Sequence, residues 1–151
     1  MLLISCAGSR QTDAEFQEIK TEVINSEFNI VFNSTISALR EQGFYVNLID
    51  KMQGQISAEF RFTRNSDFHG DFFEGYNPRA ATSMRIDANL KELNNKSTFI
   101  EITLLESFPP PQTSYNTRID QGSTRVVRRS HHYDTIFMDI KTRAEQTGAE
   151  S

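Results

Sequence analysis

Four potential ligands crowd into one short stretch of this chain. Asp67, His69, Asp71 and Glu74 stand in Asp67-Phe68-His69-Gly70-Asp71-Phe72-Phe73-Glu74-Gly75-Tyr76. Oxygen-rich ligation with one imidazole suits Ca²⁺, Mn²⁺ or a weak Zn²⁺ site. The spacing is not that of an EF-hand, and no second His stands at helical spacing. The same acids also read as a solvated loop, and that reading takes precedence over a metal site. The aromatics Phe68, Phe72, Phe73 and Tyr76 point elsewhere. They follow neither a strand nor a helix period, so a sheet cannot bury all of them. An exposed cluster of this kind marks a contact surface for another protein. The stiff Pro109-Pro110-Pro111 segment extends that surface at little entropic cost.

Other chemistry has less behind it. There is no Gly-x-Ser-x-Gly elbow, no glycine-rich phosphate loop and no dinucleotide fingerprint. Glu101 and Glu106 share a predicted strand and could meet Asp87 as an acid pair, but strand carboxylates of this kind read as solvent face. Arg125, Arg128, Arg129, His131 and His132 make a basic stretch on a chain of net charge -4. That stretch reads either as a site for an anionic partner or lipid headgroups, or as an edge strand whose arginines discourage aggregation; the second reading is preferred. His131 and His132 open a predicted helix, where a cation is poorly placed, and are expected to be neutral. The negative balance argues against a general nucleic-acid partner. The expectation is therefore a non-enzymatic protein with no cofactor.

The chain has 151 residues and a single Cys, which excludes an internal disulfide and any Cys-x-x-Cys zinc site. That Cys lies in Met1-Leu2-Leu3-Ile4-Ser5-Cys6-Ala7-Gly8. Leu3-Ile4-Ser5-Cys6 looks like a bacterial lipobox, in which a signal peptide is cut after a small residue and the Cys thiol takes a lipid. No basic region precedes it and the apolar core of a signal peptide is missing, so the true start is expected upstream of Met1. Ala7 is not the Asp that would favour inner-membrane retention. The expected place is the periplasmic side of the outer membrane, held in its lipid through acylated Cys6. Residues 7–15 are small and polar and read as a flexible tether reaching up to roughly 30 Å.

The elements that position these residues follow from periodicity. Phe16 to Ile24 alternates and predicts a strand. Ser26 is placed to cap a helix with apolar positions Phe28, Val31, Phe32, Ile36 and Leu39, and Gly43 to stop it. Phe44, Val46 and Leu48 alternate with Tyr45, Asn47 and Ile49. A turn over 50–54 then leads into Ile56, Ala58, Phe60 and Phe62. After the 64–79 loop come two further alternating strands, from Thr82 to Leu90 and from Thr98 to Leu105, with a turn at Asn94-Asn95. A short edge strand is predicted within 124–129. Ser130 then caps a last helix carrying Tyr133, Ile136, Phe137, Ile140 and Ala144, which Gly148 ends. The order is β-α-β-β-β-β-(β)-α. Alternating strands and singly striped helices predict an α+β two-layer sandwich: an antiparallel sheet with two helices on one face. The predicted organisation is a leader and tether over 1–15, one domain over 16–148 and a tail over 149–151.

Several of these stretches together resemble a family of small bacterial lipoproteins of largely unknown function. The residues that carry the resemblance are Leu39-Arg40-Glu41-Gln42-Gly43-Phe44, Ile49-Asp50 and Gly54-Gln55-Ile56-Ser57-Ala58, with Tyr133, Ile136 and Phe137 in the last helix. The resemblance implies an envelope protein with a scaffolding or accessory role, in contact with other envelope proteins. It brings no catalytic residue. The alternative is a soluble periplasmic domain that binds a ligand or metal through the 67–76 loop.

Overall fold

The fold is taken from a computed structural model that describes residues 11–62, 73, 76, 81–109 and 122–149. Cys6, Phe68, Phe72, Pro110 and Pro111 lie outside the described residues, as do Asp67, His69, Asp71 and Glu74.

Three helices and six strands follow one another. They are α1 (Asp13–Ile19), β1 (Thr21–Ile24), α2 (Phe28–Glu41), β2 (Tyr45–Asp50), β3 (Gln55–Arg61), β4 (Ser83–Asn94), β5 (Ser97–Ser107), β6 (Thr124–Val126) and α3 (Ser130–Ala149). The strands form one antiparallel sheet of order β1-β5-β4-β3-β2, with β6 also pairing β5. β1 takes the Thr98–Glu101 part of the β5 edge and β6 the Leu105–Ser107 part. The result is an α+β fold with its helices on one face of the sheet.

The core lies between that face and the helices. Met84, Ile86, Ala88 and Leu90 of β4 are buried, as are Ile100, Ile102 and Leu104 of β5 and Ile56 and Ala58 of β3. Strict alternation puts all of them on one side of the pleat. Above them lie Val31, Phe32, Ile36 and Leu39 of α2, and Tyr133, Ile136, Phe137, Ile140 and Ala144 of α3. Each set recurs at helical spacing, so each helix buries one stripe.

α2 ends as predicted. Gly43 has φ 93°, its N–H donates to Arg40 O (3.0 Å), and the Phe44 N–H donates to Leu39 O (3.0 Å). This is the Schellman arrangement, closed by apolar contact between buried Leu39 and Phe44. The 50–54 turn also forms: the Gln53 N–H donates to Asp50 Oδ1 (3.0 Å) and Gly54 takes φ 68°.

Five expectations need correction. The stretch before β1 is helical and not a strand. Thr12 caps α1 in a reciprocal box: the Glu15 N–H donates to Thr12 Oγ1 (3.2 Å) and the Thr12 N–H to Glu15 Oε2 (2.9 Å). Residues 13–15 therefore belong to the domain, and any tether after Cys6 is correspondingly shorter. Ser26 is not the cap of α2; Glu27 holds that position without a side-chain bond, while Ser26 O accepts from Thr98 Oγ1 (3.0 Å). Gly148 does not end α3, which runs on to Ala149. In β2 a bulge between Val46 and Leu48 breaks the alternation. Leu48 stands opposite Ser57 on the open face, and Ile49 opposite buried Ile56 on the helix side.

Candidate functional site

The end of the sandwich where β3 and β5 finish is closed by aromatic rings. Phe44 enters from the end of α2 and Phe60 from β3, with Phe62 just beyond; Phe73 and Tyr76 come from the segment between β3 and β4. The Phe73 ring stacks on Phe44 (5.8 Å between centroids, 12°) and meets Phe60 at 4.8 Å. Tyr76 stacks on Phe62 at 5.6 Å and stands edge-on to His132 at 5.6 Å. The sheet leaves this end open between the last turn of α2 and the first turn of α3, and the rings fill it.

That arrangement corrects the reading of Phe73 as a free contact residue. It is 4 % exposed and part of the core. Tyr76 is half-buried against the same cluster. Of the triple proline, Pro109 is exposed directly after β5, while its two neighbours lie outside the described residues.

Beneath Tyr76 lies a polar group that the sequence did not single out as buried. Glu106 is only 8 % exposed and pairs with Arg125 at 3.1 Å. It faces the helices because β5 alternates. Glu101, an odd number of residues earlier, lies on the opposite face with Asp87, so the three acids do not meet. On the open face Asp87 accepts from Ser57 Oγ (2.7 Å) and pairs with Arg85 (3.0 Å), while Glu101 takes Lys20 (3.4 Å) and Gln17 Nε2 (3.0 Å). The buried Tyr76 hydroxyl lies beside the Glu106 carboxylate, with no partner in hydrogen-bonding geometry among the described residues. Burial first, and then Glu106, push its phenol far above the ordinary range. It remains a neutral hydroxyl at any physiological pH and cannot serve as a base.

The basic stretch is spread over several structural tasks. Arg125 also lies over the Phe108 ring (5.1 Å). Arg128 covers the Phe16 ring of α1 (4.7 Å) and pairs with Asp13 (3.4 Å). His132 is buried at the start of α3, and His131 is half-exposed beside it. The edge-strand reading fits Arg125, which sits in β6.

Among the described residues no group of three or more His, Cys, Asp or Glu side chains is placed to hold a metal ion. The four loop ligands named from the sequence fall outside that description. No protein-family model matches the chain, and no curated protein is significantly similar to it.

One feature without a clear mark in the sequence is β2, which ends the sheet among the described residues. Tyr45 is 75 % exposed, Leu48 44 % and Ile49 49 %, with Met52 at the adjoining turn 96 % exposed. A weak signal was present, since Leu48 and Ile49 are adjacent apolar residues and no pleated strand can hide both on one face.

Proposed function

We propose that this chain is a non-enzymatic, lipid-anchored protein of the bacterial cell envelope, held at the periplasmic side of the outer membrane through Cys6 and acting through contacts with other envelope proteins. The observation that carries the reading is Leu3-Ile4-Ser5-Cys6, a thiol preceded by a small residue and an apolar run. The position of Thr12 sharpens it. The capping box stands at Thr12, so the chain between Cys6 and that cap is five residues, 7–11. A fully extended link of that length spans ~20 Å, which holds α1 and the β1 edge close to the lipid surface. Stable anchoring needs more than one acyl chain, which triacylation of the new N-terminus supplies.

The test is mass spectrometry of the protein isolated from envelopes, together with fractionation of a Cys6→Ser variant carrying its full leader. The expected results are a chain beginning at an acylated Cys6 and a variant released to the soluble fraction. Retention of the variant in the membrane fraction overturns lipid anchoring as the main attachment.

A further inference from the structure

The exposed large hydrophobic side chains of the described residues are unevenly placed. Tyr45, Leu48, Ile49 and Met52 fall within one edge strand and its turn, and only Val23, Leu93 and Met138 lie elsewhere. Among the described residues β2 ends the sheet, and its outer side has no backbone partner there beside those side chains. Such an edge is a template for another strand. Natural edges are protected by charge, proline or bulges; β2 has its bulge and one charge at its end, Asp50, but no lysine or proline.

We propose that β2 is a homodimerisation edge, in which two copies of this chain pair their β2 strands antiparallel about a two-fold axis between Asn47 and Leu48. The bulge selects the register. Residues directly opposed in an antiparallel pair must lie on the same face of the sheet. Pairing with β3 puts Tyr45, Leu48 and Asp50 on the open face, opposite Glu59, Ser57 and Gln55, and it puts Val46 and Ile49 on the helix side, opposite Ala58 and Ile56. A two-fold pairing that sets Tyr45 against Asp50 and Val46 against Ile49 therefore matches faces at both kinds of pair. Without the bulge, strict alternation would place Tyr45 and Asp50 on opposite faces and forbid this register. Centring the axis on Asn47 sets Val46 against Leu48, across faces. Centring it on Leu48 sets Val46 against Asp50, with the same fault.

The allowed register also avoids placing like charges opposite each other. Each Asp50 meets a Tyr45 and not the other Asp50, and the remaining opposed residues are uncharged. The contact is isologous and closes after two copies. The two sheets become one, with both sets of helices on the same side. This inference goes beyond the anchoring reading and is independent of Cys6.

Sedimentation equilibrium of the full chain with Cys6→Ser, over micromolar to high-micromolar concentration, is the direct test. A reversible monomer–dimer equilibrium is expected. Leu48→Lys and Ile49→Lys should each raise its dissociation constant by roughly tenfold or more, through charge placed on the pairing edge. Melting temperatures of dilute samples check that the monomers remain folded. Should Ile49→Lys unfold the chain, Leu48→Lys carries the test, because its side chain lies on the solvent face. In the same Cys6→Ser background, chains with Asn47→Cys and chains with Leu48→Cys should cross-link to each other faster than either does to itself. A wild-type chain that stays monomeric throughout overturns the proposal. So does a dimer that the lysine variants leave unchanged, or cross-linking that favours like chains.

Discussion

The two edges of the sheet are finished by different means. On one side the edge consists of two short strands, β1 and β6, laid end to end along β5, and the join between them is closed. β1 pairs with Thr98 to Glu101, and the Ile102 N–H donates to Lys20 O (2.8 Å) where α1 runs into β1. The gap before β6 is bridged by a side chain from α3: the Tyr133 hydroxyl donates to Val127 O (2.6 Å) and accepts from the Leu104 N–H (3.3 Å). Val127 N–H returns a bond to Leu104 O (2.9 Å), and β6 completes the edge. Phe16 stands edge-on to the Tyr133 ring at 5.8 Å and excludes water from this seam. On the β2 side there is no covering helix and no bridging side chain among the described residues, only a bulge and exposed apolar groups. A sheet can thus end in two short strands joined through a distant side chain, or in one longer strand with exposed apolar groups.

The sharpest way to break this contrast is to remove the bridge. Tyr133→Ala deletes a fully buried ring and both hydroxyl bonds, and should destabilise the domain by about 3–5 kcal/mol, read as the shift in chemical denaturation. Hydrogen exchange should rise first at Leu104 and Val127. If exchange increases equally along β2, the two edges are not separate units and the contrast fails.

A smaller loss is expected on the open side. Gly54 takes φ 68°, and a Cβ there would come within 2.1 Å of Leu90 O. Its own carbonyl accepts from the Leu90 N–H (2.7 Å), so the turn is locked onto β4. Gly54→Ala combines left-handed strain with a backbone clash and should cost about 2 kcal/mol. A neutral result in thermal melting would mean that the 50–54 turn can shift without loss.

The smallest effect is one of pH. Burial pushes the Tyr133 phenol up to about 12 from its ordinary 10.0, against smaller opposing contributions from the Leu104 bond and Arg128. The folded state therefore keeps a proton that the unfolded chain releases first. Stability is complete below about pH 10 and falls as pH rises toward 12. Tyr76 acts in the same direction. Tyr133→Phe should lower stability by about 1–2 kcal/mol at neutral pH and flatten the alkaline decline, measured as denaturation midpoint against pH. An unchanged alkaline slope would assign the decline to other groups.

Which parts of this molecule can be read from sequence depends on how local their causes are. Gly43 and Phe44 announce the end of α2 because the Schellman bonds involve neighbouring residues. Met84 to Leu90 announces a strand because alternation is a property of the pleat itself. The capping box Thr12-Asp13-Ala14-Glu15 was equally local, and Phe16 and Ile19 at helical spacing agree with it. The apparent alternation of 16–24 obscured both, because its second half is a true strand. Glu106 illustrates a different difficulty. Its face follows from counting along β5, but its burial depends on α3 and the Tyr76 segment lying over that end. The same holds for Phe73, whose loop position suggested exposure until Phe44 and Phe60 were seen to converge on it.

The amino-acid pattern alone determined the α+β class, the core stripes of α2 and α3, the central strands β3, β4 and β5 and the glycine-dependent turns at Gly43 and Gly54. Those features arise from interactions within a few residues or from a repeat with a fixed period. Tertiary structure alone decided that Tyr133 bridges the join between β1 and β6 along β5, that aromatic rings plug one end, and that Glu106 is buried with Arg125. It also decided that a bulge in β2 puts Leu48 on the open face and Ile49 on the helix side, the reverse of what unbroken alternation gives. Each of these depends on which distant segments meet, and a one-dimensional period carries no record of that meeting.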